Sequence, residues 1–288
     1  MNGRIFSNAT VVQADRLART LVAARVFPDE ETFRAQHRDR PWIIQVNARG
    51  DVAVLDRWRD HLDLLGIEAL WCPVRYIGDA IAQLSLCAME HGFSGLVSPP
   101  VVSGDVPVYE AAGMRVREML AVLELTPVSP ADVPERSDVT IRPALMTDAE
   151  SVLAIDADCF EPFWRYDRRL MQRFLDVSAV ALAERDGRCV GYTLTTVDRG
   201  SAVLGRLCVC ASERRTGIGS LLLEAAVVRA RESGARHMTL SARTGNAAAL
   251  ALYRSAGFTD TGRRYAFLTT GDETRRDQGH RNGSLMGR

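Results

Sequence analysis

Apolar and polar residues in the second half of the chain recur with two periods. Val139-Thr140-Ile141-Arg142 alternates as a strand does, whereas Val152, Ile155 and Cys159 fall on one face of a helix running from Asp148 to Phe160. A second helix is predicted from Asp167 to Leu175. Strands follow at Ala179–Glu184 and Cys189–Val197, with Asp186-Gly187 as the hairpin turn between them. The apolar run Ala202–Val209 predicts a further strand, and Leu221-Leu222-Leu223-Glu224-Ala225-Ala226 a helix after it. His237 to Ala242 alternates again. Asn246 can cap the alanine- and leucine-rich helix that follows, and Gly257 can end it in the left-handed conformation. A final strand is expected near Arg264–Leu268. This order predicts an α/β fold, a mixed sheet with helices on both faces.

The first half repeats the later part of this plan in weaker form. Ile67 to Val74 is strand-like, Gly78 to Glu90 helical, and Gly95-Leu96-Val97 a strand. Val108-Tyr109-Glu110-Ala111-Ala112-Gly113-Met114 parallels Leu252-Tyr253-Arg254-Ser255-Ala256-Gly257-Phe258, and a terminal strand follows at Met119–Glu124. Upstream, Trp42–Val46 and Val52–Leu55 flank a hairpin at Arg49-Gly50-Asp51. Two domains are therefore expected, at 1–126 and 139–270. The segment 127–138 reads as a linker because three prolines interrupt every period. The polar stretch 271–288 reads as a disordered tail.

Composition narrows the function classes. The chain of 288 residues has a formal net charge of zero, so no global field favours nucleic acid or an anionic membrane. No apolar run reaches membrane-spanning length, and Met1-Asn2-Gly3-Arg4 is not followed by a signal-peptide core, which points to the cytoplasm. The six cysteines (Cys72, Cys87, Cys159, Cys189, Cys208 and Cys210) show no metal spacing and read as reduced thiols; no metal is expected. Oligomeric state is not legible.

The chemistry concentrates at Arg214-Arg215-Thr216-Gly217-Ile218-Gly219, a loop between a strand and a helix. The first helical turn offers unpaired N–H groups and the positive end of the macrodipole. Glycines let a phosphate approach the backbone, and arginines add charge. The loop is a pyrophosphate seat. With no lysine in the chain a Walker loop is excluded, and a Gly-x-Gly-x-x-Gly fingerprint lacks its third glycine.

Arg-x-x-Gly-x-Gly after a Leu-x-Val strand, followed by Asn246, an alanine-rich helix, Tyr253 and Gly257-Phe258, resembles the GNAT acetyltransferase superfamily over about Val139 to Thr270. The similarity is greatest to the branch that acetylates protein N-termini, such as the ribosomal-protein alanine acetyltransferases. It implies tandem GNAT-like domains, the first degenerate because Arg75-Tyr76-Ile77-Gly78-Asp79 is too short for a phosphate loop and puts an acid where an anion belongs. That domain is expected not to hold CoA.

The resemblance also implies an acetyl-CoA-dependent N-acetyltransferase acting on a primary amine, either a protein N-terminus or a small metabolite. Leu207, Cys208 and Val209 would pair by their backbone with the pantetheine arm, and Arg214, Arg215, Thr216, Gly217, Ile218, Gly219 and Ser220 would hold the pyrophosphate. Asn246 would cap its helix, contact the cofactor arm, or do both, and Tyr253 would be the general acid. The family's glutamate base is replaced by Ser241, leaving Glu184, Asp198, Glu161 and His237 as candidates for a water relay. The aromatic turn Phe160–Tyr166 would border the acceptor. Enzymes of mycothiol synthesis are similar in joining two such domains and acetylating a small amine. A CoA-binding sensor that lost catalysis is the other class, suggested by Ser241.

Overall fold

The computed structural model describes residues 5–24, 26–59, 61, 63–128 and 138–271. Nearly all of the expected linker and tail lies outside these residues. The chain divides into two compact units, one of Met1–Trp58, Leu62–Glu118 and Ala266–Arg288, the other of Arg59–His61 and Met119–Tyr265.

The first unit opens with β1 (Ser7–Asn8), α1 (Val11–Ala23) and α2 (Glu30–Asp39). Thr10 and Gln13 form a reciprocal capping box on α1, and Asp29 caps α2. The periodic reading did not anticipate α2, which buries only Phe33 and His37 among charged neighbours. Then come β2 (Ile44–Val46), β3 (Val52–Arg57), β4 (Leu64–Trp71), α3 (Ile77–Glu90), β5 (Gly95–Val97), β6 (Val101–Val102), α4 (Val106–Ala111) and β7 (Arg115–Leu125). The sheet order is β1-β2-β3-β4-β5. Strand β4 runs parallel to β5 only over Leu64–Gly66, and Glu68 is an extra residue against β3, where Val54 faces Ala69 and Leu55 faces Ile67.

The second unit contains β8 (Thr140–Pro143), α5 (Ala149–Cys159), α6 (Arg168–Val177), β9 (Ala179–Arg185), β10 (Arg188–Asp198), β11 (Ser201–Val209), α7 (Ile218–Glu232), β12 (His237–Arg243), α8 (Ala247–Ser255) and β13 (Thr259–Thr269). Its order is β8-β9-β10-β11-β12-β7, with the first residues of β13 beyond β7. Helices α7 and α8 cover one face, where Leu204, Leu223, Ala226, Met238, Leu240 and Phe258 pack. On the other, Val152, Ile155 and Met171 pack against Leu182, Tyr192 and Leu194.

The last strand of each repeat does not stay with the elements that precede it. Residues Met119–Leu125 of β7 belong to the second unit and pair antiparallel with β12, from Leu120 opposite Arg243 to Leu125 opposite Met238. The end of β13 belongs to the first unit, with Thr269 opposite Val97 and the Ser98 N–H donating to Leu268 O at 2.8 Å. The structural units therefore differ from the sequence intervals 1–126 and 139–270 by these two strands.

Candidate active site

A single inserted residue opens the sheet of the second unit. On β10, Thr195 faces Leu204 and Leu194 faces Arg206, so Gly205 is a bulge in β11. Ahead of it Ala202 and Leu204 point toward α7; beyond it Leu207 and Val209 keep that direction, while Arg206 and Cys208 point toward α5. The parallel pairing of β11 with β12 ends at the same place, with Leu204 opposite Leu240. From there β11 is held only by β10 and β12 only by β7, leaving a fork with backbone on its inner edges.

At the mouth of the fork stands the N-terminus of α7. Arg215 has φ 66° and Gly217 φ 90°, so the loop turns left-handed twice before the helix starts at Ile218. At the start of α7 the N–H groups of Ile218 and Gly219 come before any i−4 helical carbonyl. Ser220 N–H returns to Gly217 O at 3.0 Å, and Thr216 Oγ1 donates to Glu213 O at 2.7 Å. Gly219 faces Leu252 closely enough that a β-carbon would lie 3.4 Å from its Cδ2. Ile218 is wholly buried and contributes backbone alone. Arg214 Nε donates to Val209 O at 3.1 Å while the residue stays exposed. A phosphate anion fits this cradle of helix amides and left-handed turns.

Asn246 caps α8, its Oδ1 accepting from Ala249 N–H at 3.1 Å, as its sequence position predicts. Tyr253 lies on the last turns of α8 in the core with Leu204, Leu240 and Phe258. Burial, helped by the Cys208 thiol, pushes its pKa up to about 12, so the hydroxyl keeps its proton at neutral pH.

The opposite face of the fork holds a buried polar cluster that the sequence reading missed. Asp156, on the inner face of α5 and 1 % exposed, accepts from Tyr192 Oη at 2.5 Å and from Tyr166 N–H at 2.9 Å. Arg206 Nε lies 3.4 Å from Asp156 Oδ1, and its Nη2 donates to Trp164 O. Phe160 and Tyr166 each stack 3.8 Å from the guanidinium. The aromatic turn is thus seated on β11. Only the polarity of Asp156 within an otherwise apolar helix stripe could have signalled this cluster, and the bulge that turns Arg206 inward leaves no periodic trace.

The four relay candidates separate by position. Glu184, paired with Arg142 at 2.7 Å, sits on β9 opposite Cys189. Asp198 and His237 both register with Ser201, at the closed end of the fork. Glu161 reaches the open end, where it accepts from Arg243 Nη1 at 2.6 Å. Ser241 is exposed two residues before Arg243, on the face of β12 opposite the buried Leu240 and Ala242. No cluster suited to a metal ion occurs among the described residues.

Comparison with known proteins agrees with this geometry. Residues 149–258 match the model of the Acetyltransferase (GNAT) family. The chain is 30 % identical over 115 residues to the ribosomal protein bS18 alanine N-acetyltransferase of Salmonella typhimurium, covering 40 % of this chain and 71 % of that one. The chain belongs to the GNAT family. A mycothiol acetyltransferase of Thermobispora bispora is 30 % identical over 179 residues, covering 54 % of this chain and 60 % of that protein. A tandem GNAT protein from the clavulanic acid biosynthesis pathway superposes with a TM-score of 0.63 at 17 % identity, covering 93 % of this chain and 98 % of the other, a likeness of fold. Both units are GNAT-like, and the chain is an N-acetyltransferase; acetyl-CoA is the co-substrate of this family.

The first unit resembles the second at the tyrosine and the helix end but not at the loop before its helix. Gly113 has φ 86° where Gly257 has φ 88°, and Met114 N–H bonds Tyr109 O at 3.1 Å as Phe258 N–H bonds Tyr253 O at 3.0 Å. Burial raises Tyr109 to about 12 as well. Between β4 and α3, however, stand only residues 72–76. Tyr76 stands at the N-cap of α3 at φ −112° with no side-chain capping bond, and Asp79 occupies the first turn.

Proposed function

We propose that the second unit transfers an acetyl group from acetyl-CoA to a primary amine, either the α-amine of a protein N-terminus or that of a small molecule. The fork carries this reading. Its backbone edge at Leu207, Cys208 and Val209 suits the pantetheine arm as an added strand, and the Arg214–Ser220 loop suits the pyrophosphate. Asn246 caps α8, the helix that carries Tyr253. The amine nitrogen attacks the thioester carbonyl and the carbon–sulfur bond breaks; Tyr253 gives its proton to the departing thiolate, and the amine's proton leaves to water. The first unit, lacking a left-handed loop, leaves CoA to the second.

The bS18 alanine acetyltransferase favours a protein N-terminus, and the mycothiol acetyltransferase favours a small amine. A regulatory CoA-binding module is the second reading, favoured by Ser241 standing where a base is expected. Incubation with acetyl-CoA and pools of alanine-initiated peptides and small amines, with products identified by mass spectrometry, separates the three. Acetylated product of either class supports transfer. Tight acetyl-CoA binding without any acetylated product supports the module.

A further inference from the structure

Two guanidinium groups, one from each arm of the fork, frame the face on which Ser241 opens. Arg206 comes from β11 and Arg243 from β12, and both are tied to the turn Phe160–Tyr166, Arg206 through Trp164 O and Arg243 through Glu161. The carboxylates of this face are already engaged. Asp156 is buried beneath Tyr192 Oη, Tyr166 N–H and Arg206, and Glu161 accepts from Arg243. Neither is placed to hold an acceptor's ammonium group.

Arg206 itself is 7 % exposed, with the rings of Phe160 and Tyr166 each centred 3.8 Å from its guanidinium carbon. Its Nε is buried without a hydrogen-bond acceptor, although Asp156 lies close enough to balance part of the charge. A guanidinium held against aromatic rings is a rigid planar fork, the shape that recognises a carboxylate through paired N–H groups. The same positive charge acts on the reacting nitrogen. Neighbouring cations disfavour an ammonium ion and so lower its pKa. The neutral amine then forms without a carboxylate at position 241.

We propose that the acceptor is an amine that carries its own carboxylate, recognised by Arg206 with Arg243 beside it. This rests on the acetyl-transfer reading above. An amino-acid-like acceptor offers the carboxylate that a guanidinium recognises, and a polyamine does not.

Matched pairs of acceptors test the inference: alanine, β-alanine and γ-aminobutyrate against alaninamide, β-alaninamide and 4-aminobutanamide, with spermidine as the cationic control. The expected result is at least about a tenfold higher kcat/KM for the best carboxylate than for its amide, as for a charge-assisted hydrogen bond. Arg206→Met should collapse that ratio to within about threefold, and, should that variant not fold, the exposed Arg243→Met should lower it. Equal use of carboxylates and amides, preference for spermidine, or a ratio that survives both substitutions overturns the inference. So does the absence of turnover with every carboxylate when calorimetry shows acetyl-CoA bound. Absence of acetyl-CoA binding would instead remove the transfer reading on which it rests.

Discussion

Arg214 Nε donates to the carbonyl oxygen of Val209 at 3.1 Å, and the Cys159 thiol donates to the same oxygen at 3.4 Å. The last carbonyl of β11 is therefore closed off from the α5 side, and Arg214 braces the strand through its Nε.

This arrangement predicts that Cys159 reacts ahead of the other thiols. Hydrogen bonding from Cys208 and the nearby Arg214 charge hold its pKa below the usual thiol value, whereas burial drives Cys208 well above it. Iodoacetamide at neutral pH should modify Cys159 before Cys72, Cys87, Cys189 or Cys210, whose thiols are raised by burial. Arg214→Ala removes the favourable charge and should slow Cys159 labelling several-fold. Peptide mapping that finds Cys159 no faster than Cys189 would contradict this.

Tyr253→Phe keeps the ring in the core and removes the proton. It should lower kcat by roughly 10²-fold while acetyl-CoA affinity stays close to that of the parent. Because the hydroxyl holds its proton up to about pH 12, no falling limb from this acid should appear in the rate profile below pH 10. A parent-like kcat in the variant returns Tyr253 to a packing role.

The same shift links to stability. A tyrosine with a folded pKa of about 12 instead of 10 contributes fully below pH 10, and the contribution disappears as pH rises toward 12. For the deeply buried Tyr253 this amounts to roughly 2–3 kcal/mol. Denaturant unfolding of Tyr253→Phe should lose less stability than the parent between these limits. Identical alkaline slopes for both proteins would argue against the shift.

Gly217→Val places a branched side chain at φ 90° and should cost both stability and acetyl-CoA affinity. Gly219 has ordinary helical backbone, and a β-carbon there makes only van der Waals contact with Leu252. Gly219→Ala should fold normally, so any fall in its affinity reports crowding of the phosphate rather than strain. Calorimetry on the two variants distinguishes the effects; undiminished affinity in both would move the pyrophosphate elsewhere.

A fragment cut at the proline-rich segment should fail to fold. Residues Val139–Arg288 lack Met119–Leu125, whose Ala121, Leu123 and Leu125 are buried in the core of the second unit beside Met238 and Leu240. A fragment beginning at Arg115 restores that strand and should be more soluble. Cooperative thermal unfolding of the 139–288 fragment, matching that of the longer one, would disprove the dependence.

Local patterns sufficed for the elements that carry their own signal. The Asp186-Gly187 turn, the Asn246 cap and the Gly257 helix end each lie within a few residues of the chemistry that forms them, and each occurs where the sequence places it. So does the loop before α7, because its glycine supplies the left-handed backbone directly. The polar cluster was not legible, since Asp156 and Arg206 are 50 positions apart in numbering and meet only because the bulge at Gly205 reverses which face Arg206 occupies. The bond from Arg214 Nε to the Val209 carbonyl was hidden likewise, since it depends on where the loop after β11 turns back. Nor could periodicity assign β7 to its unit. Alternation makes a strand, yet any strand with matching apolar residues can complete a given edge, and only the folded sheet decided that β12 takes β7 while β5 takes the end of β13.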